Sequence, residues 1–215
     1  QELLRATEML VARGLVPVAS PKSPGQIAVW LYALENAKPA GWEGEMTKLL
    51  RHALPYVREI ALDKVPAGSG ATFAADVTGN LSNADPDVVV AAAKLAEREH
   101  MTALGKTVAG VMAKMDGIRL NIVSNAASAL GAKVERANAL VALLGKKETF
   151  NDAMRELFGI TGVKSFGSNG DTPEAERAAL QTKWKAFLAA HKTDVQAGTT
   201  LTMDKTLVPS NWNID

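Results

Sequence analysis

The chain contains no cysteine. That excludes disulfides, thiolate metal sites and cysteine nucleophiles, and it leaves the redox compartment open. Aromatic residues make up only 5% of the 215 positions, whereas hydrophobic residues make up 47%. An aliphatic, alanine-rich core of this kind favours closely packed helices over a sheet. Charge of one sign is also missing: 24 basic residues face 23 acidic ones, for a net charge of +1. No global field therefore draws the chain to nucleic acid or to an acidic membrane. No apolar run approaches the roughly 20 residues of a membrane helix. The opening Gln1-Glu2-Leu3-Leu4-Arg5 lacks the pattern of a signal peptide. We expect a processed or trimmed chain, with removal of a signal peptide as one explanation.

Catalytic and ligand motifs are equally scarce. Gly105-Lys106-Thr107 resembles the end of a phosphate-binding loop, but position 100 is His where that motif needs Gly. The segment also falls inside a helical stripe with no strand before it, so its amides would not wrap a phosphate. His52, His100 and His191 are far apart, and no His-Glu or His-x-x-x-His spacing recurs to build a metal site. Glu97, Glu99 and His100 together read as a charged helix end. No Gly-x-Ser-x-Gly occurs, and Gly68-Ser69-Gly70 reads as a turn. Asn80-Leu81-Ser82 matches a glycosylation acceptor, but Leu81 belongs to an apolar helical column. Lys146-Lys147 and Lys183/Lys185 are local basic pairs offset by nearby acids. From all this we expect no catalysis, no cofactor, no metal and no nucleic-acid partner.

What is present is a repeat. Pro55-Tyr56-Val57-Arg58-Glu59-Ile60-Ala61-Leu62 returns as Pro86-Asp87-Val88-Val89-Val90-Ala91-Ala92-Ala93, a step of 31 residues, and is foreshadowed from Pro24. Extending the step gives apolar columns. Val29, Ile60, Ala91, Ile122 and Ala153 form one; Trp30, Ala61, Ala92, Val123 and Met154 form the next; Leu34, Val65, Ala96, Ala127 and Phe158 form a third. A second set, Met46, Val77, Val108 and Ala139 followed by Leu50, Leu81, Met112 and Leu143, precedes these in each unit. Two helical stripes per repeat, with proline or glycine at the junctions, predict stacked helix pairs. The alanines let helix backbones approach closely.

The expected organisation runs in four parts. Residues 1–23 form an N-terminal capping helix and loop, with the helix over 2–13. Residues 24–160 hold the repeats. Residues 161–192 form a loop and a C-terminal capping helix, opened by a capping Thr172 and by Pro173 at the first helical position. That helix presents Leu180, Trp184, Phe187, Leu188 and His191 on one face. Residues 193–215 read as an irregular tail whose aromatic end docks on the repeats or on a partner. Asp85 is the expected cap of the helix that Pro86 opens.

Val57-Arg58 with Ala61-Leu62, the Asp85-Pro86 turn with Val88 and Ala92-Ala93, and Leu130-Gly131 together resemble a HEAT-like (armadillo-type) repeat protein over about residues 24–158. The resemblance implies a right-handed α-α superhelix, a solenoid of about five helix pairs. It also implies a scaffold or accessory subunit that binds another protein or a multi-subunit complex. A nucleic-acid-binding module or enzyme is the alternative that family allows. Trp184-Lys185-Ala186-Phe187-Leu188-Ala189-Ala190-His191 is similar to helices that close HEAT-like regions in some bacterial envelope proteins. The expected location is accordingly periplasmic or secreted rather than cytoplasmic, and one domain of a longer envelope protein is a further reading.

With the columns turned inward, the opposite stripe of each second helix carries Tyr32; Glu59 and Asp63; Lys94 and Glu97; Asn121, Asn125 and Ser128; and Asp152 and Glu156. An ordinary solvated face accounts for such a stripe as readily as a binding ridge does. As a ridge, its mixed signs suit a protein surface rather than a polyanion. Tyr32, Asp63, Lys94, Asn125 and Glu156 are the expected partner-binding residues, each of them exposed.

Overall fold

The computed structural model describes Leu31, Lys38 and residues 40–163, 166–168 and 170–214. The expected helix over 2–13, the loop that follows it, and Tyr32 lie outside these residues. Leu31, inside the predicted helix from Ile27, is helical and buried. Among the described residues the fold is all-α apart from one two-stranded ribbon. The chain divides after Met101 into two compact units.

The first unit holds α1 (Trp42–Leu50), α2 (Pro55–Asp63), α3 (Ala74–Leu81) and α4 (Pro86–Arg98). Local chemistry sets these boundaries. Pro55 and Pro86 each occupy the start of a helix, where their missing N–H costs nothing. Asp85 caps α4 as expected, its Oδ1 accepting the Asp87 N–H at 2.9 Å. Helix α1 packs on α2 and α3 on α4, while α1 also meets α3 and α2 meets α4. First helix thus lies on first helix, and second on second. The α2–α4 contact is lined by small side chains, with Ala61, Ala92, Ala93 and Ala96 fully buried.

The second unit holds α5 (Gly105–Val111), α6 (Gly117–Ala129), α7 (Lys133–Leu143), α8 (Lys147–Thr161), α9 (Glu174–Ala190) and α10 (Lys192–Ala197). The same pairing recurs: α5 with α6, α7 with α8, α5 with α7, and α6 with α8. Helices α9 and α10 both pack on α7. Gly105 permits the close approach of α5 to the turn after α6, since a Cβ there would lie 3.0 Å from the Leu130 carbonyl oxygen.

The step of 31 residues persists in the backbone. Helices α2, α4 and α6 begin at 55, 86 and 117. Left-handed residues follow second helices at His100 (φ 52°), Gly131 (φ 83°) and Gly162 (φ 71°), again 31 apart. The first two close the same C-cap. Met101 N–H reaches Ala96 O while His100 N–H reaches Glu97 O; Ala132 N–H reaches Ala127 O while Gly131 N–H reaches Ser128 O. These are paired bonds of the Schellman type.

The columns need one correction. Ala61, Ala92, Val123 and Met154 are fully buried, as are Ala96, Ala127 and Phe158, with Val65 almost so. The column expected to be mostly buried is instead peripheral: Ile60 is 39% exposed, Ala91 and Ile122 are half-buried, and of its described members Ala153 alone is buried. Helix geometry explains the difference. The buried arc of α2 is centred on Val57, Ala61 and Leu62, and Ile60 sits about 100° away from Ala61 at its edge.

The C-terminal segment is more ordered than the expected irregular tail. After α10 comes a tight turn at Lys205–Leu207, then strand β2 (Trp212–Ile214). It pairs antiparallel with β1 (Phe166–Ser168), inside the stretch expected to be loop. The tail docks on its own chain. Trp212 packs edge-on against Phe150 and Phe158, and the Trp184 indole N–H donates to Leu207 O at 3.0 Å. Thr172 is not the cap of α9. Its buried hydroxyl donates to Asn211 Oδ1 at 3.1 Å, and Pro173 lies just before the helix rather than in its first position. Tertiary demand from the tail has taken the hydroxyl that the local pattern assigned to capping.

Candidate partner-binding surface

The expected surface residues meet two different fates. In the first unit Asp63 closes α2 and Lys94 sits on the adjacent helix α4, both exposed. The Asp63 side chain is 71% exposed and pairs with its neighbour Lys64 at 3.5 Å. Beside them, Glu59 is exposed and Glu97 half-buried. Arg98 closes the far end of α4 by donating to Asp63 O at 3.0 Å and to Val65 O at 2.6 Å, tying the two helix C-termini together. The two side chains thus stand on a fixed pair of helices.

In the second unit Asn125 is exposed, with its amide 3.3 Å from Asn121 Oδ1. Glu156 is not exposed. Its side chain is 12% accessible and is locked into a network. Arg136 Nη2 lies 2.8 Å from Oε2, the Ser124 hydroxyl donates to the same oxygen at 2.7 Å, and Asn121 donates to Oε1 at 2.6 Å. Arg136 Nε adds a 2.6 Å bond to Ser124 Oγ. Asp152, in the same stripe, accepts the Gly117 N–H at 2.9 Å and so caps α6 from α8. The Glu156 carboxylate faces helix α6 and the first turn of α7 rather than solvent, so Glu156 is no free contact residue, while Asp152 is half-buried.

The sequence columns could not reveal this network, because they place a residue on its own helix and say nothing of what a neighbouring pair presents. One signal was available. Ser124 stands where the two preceding repeats have Leu62 and Ala93, and a hydroxyl in an apolar column needs a polar partner.

The other candidate motifs resolve into structural roles. Lys106 pairs with Glu135 at 3.4 Å on the surface of α5 and α7. Glu99 accepts the Gly70 N–H at 2.9 Å and His100 serves the turn after α4. Asn80 is buried, with its amide donating to Leu50 O at 3.0 Å and to Asp76 O at 2.9 Å, so it is shielded from modification. Of the local lysines, Lys147 meets Asp171 at 2.6 Å and Lys183 donates to Thr206 O at 3.2 Å, both tying down the C-terminal segment. Among the described residues no group of three or more His, Asp or Glu is placed to hold a metal ion, and no helix is long and apolar enough to cross a membrane.

Two carboxylates anchor the C-terminal segment electrostatically. Asp171 titrates below its ordinary range because Lys147 hydrogen-bonds and neutralises it. Asp204 is lowered by hydrogen bonds from Thr206, whose N–H it accepts at 2.8 Å. No family model matches the chain, and neither a curated protein nor a solved structure matches it.

Proposed function

We propose that this chain is a HEAT-like α-solenoid that serves as a protein-binding scaffold or accessory subunit, without catalysis of its own. The observation that carries this reading is the recurrence of one helix-pair unit, with starts at 55, 86 and 117 and left-handed C-caps at His100 and Gly131. Within each unit the second helices bury the columns of Ala61 and Val65 against one another, while Asp63 and Lys94 in the first unit stay outside that core. Both occupy the outward stripe, exposed and opposite in charge. In stacked helix pairs, second helices line the concave side, where an extended partner surface meets several repeats at once.

Capture from a lysate followed by cross-linking mass spectrometry tests the reading. Cross-links from one partner should fall on Lys94 and its neighbours on α2 and α4. Cross-links confined to the first helices α1 and α3, or to the Trp212 segment, would overturn it.

A further inference from the structure

A cavity of about 240 Å³ opens in the second unit between the first turn of α7 and the end of α10. Lys133 and Arg136 line it, together with the hydroxyl-bearing Ser128, Thr199 and Thr200, and no Asp or Glu is among its lining residues. Arg136 spends Nε on Ser124 and Nη2 on Glu156, which leaves the third nitrogen of the fork unused by either bond. The Lys133 ammonium, with three protons to donate, makes one long contact of 3.4 Å to Ala197 O. Glu156 pairs with Arg136, and among the described residues the lining itself adds no acid beside Lys133. Gly198 is part of the cavity wall and closes α10 in a left-handed conformation (φ 78°), with Lys133 Nζ lying beside it.

We infer that this cavity binds an oxyanion, either a phosphoryl or a carboxylate group. Its lining offers an ammonium, a guanidinium and three hydroxyl-bearing side chains, the donor set that recognises charged oxygens. Its volume falls below the roughly 300–1,000 Å³ of ordinary small-molecule pockets, so it suits a head group rather than a whole cofactor. The inference stands on these residues alone and does not depend on the partner-binding reading.

The test is an amide-resonance titration of the full chain with inorganic phosphate and, separately, acetate, each against sodium chloride at equal ionic strength. The expected result is saturable shifts at Gly198, Thr199 and Thr200 with phosphate or acetate and none with chloride; the stronger of the two identifies the group. Lys133→Gln should weaken that binding about tenfold or more while leaving the anion-free melting curve in place. Should Lys133→Gln loosen α10, Ser128→Ala provides the second measurement, again with weaker binding expected. Shifts that do not saturate, that chloride reproduces, or that survive the substitution read out would overturn the inference.

Discussion

His100 holds a left-handed backbone (φ 52°) at the position where the next repeat has Gly131. A side chain there clashes with the backbone in a way that glycine avoids, at roughly 1 kcal/mol or more. His100→Gly should therefore stabilise the protein by about 0.5–1 kcal/mol, and Gly131→Ala should destabilise it by about 1 kcal/mol. Both are readable as shifts in denaturant midpoint at constant slope. Glu156 belongs to the same scale. Removing Arg136 leaves a mostly buried carboxylate without its cation, so Arg136→Met should cost about 2–3 kcal/mol. Glu156→Gln keeps hydrogen-bonding capacity toward Ser124 and Asn121 and should cost less. Equal losses would mean that the network contributes only shape.

Among the elements, the helices were legible in the sequence and the C-terminal segment was not. Apolar columns at helical spacing, Pro55, Pro86 and Asp85 announce α2 and α4 through interactions within a few residues. The tail has no such period. Its order comes from contacts distant in sequence: Trp212 on Phe150 and Phe158, Leu207 O on Trp184, Asn211 on Thr172. Ile60 marks the limit of column counting, since an apolar residue at the edge of a helix arc keeps the period without being buried. The exposure of Asp63 and Lys94 followed from the stripe; the locking of Glu156 depended on Arg136, twenty residues away on another helix.

The tail makes its own prediction. Asp171 and Asp204 have folded-state pKa values below the ordinary 3.8, so their contribution is present above that value and disappears as pH falls through the lowered one. Asp204→Asn should loosen the tail at neutral pH, seen as faster amide exchange at Thr206 and Leu207. Once the pH has fallen below the lowered Asp204 pKa, the variant and the parent chain should exchange alike. A difference that persists in strong acid would show that the carboxylate's charge is not what holds this turn. Trp212→Ala, which empties the aromatic cluster, should cost about 3–5 kcal/mol and expose the segment after α10 to protease.

At the scale of the whole molecule, the proposed scaffold role sets the polar stripe of the second helices against a protein partner. Asp63 and Lys94 lie outside the core, so reversing both should leave the melting curve within about 0.5 kcal/mol of the parent. The measurement that bears most directly on that role is the affinity of the captured partner for the Asp63→Lys, Lys94→Glu double variant. Binding should weaken about tenfold, with an unchanged melting curve and only moderate dependence on salt. Binding equal to that of the parent chain would contradict it, and a steep loss with salt would point to a polyanion instead.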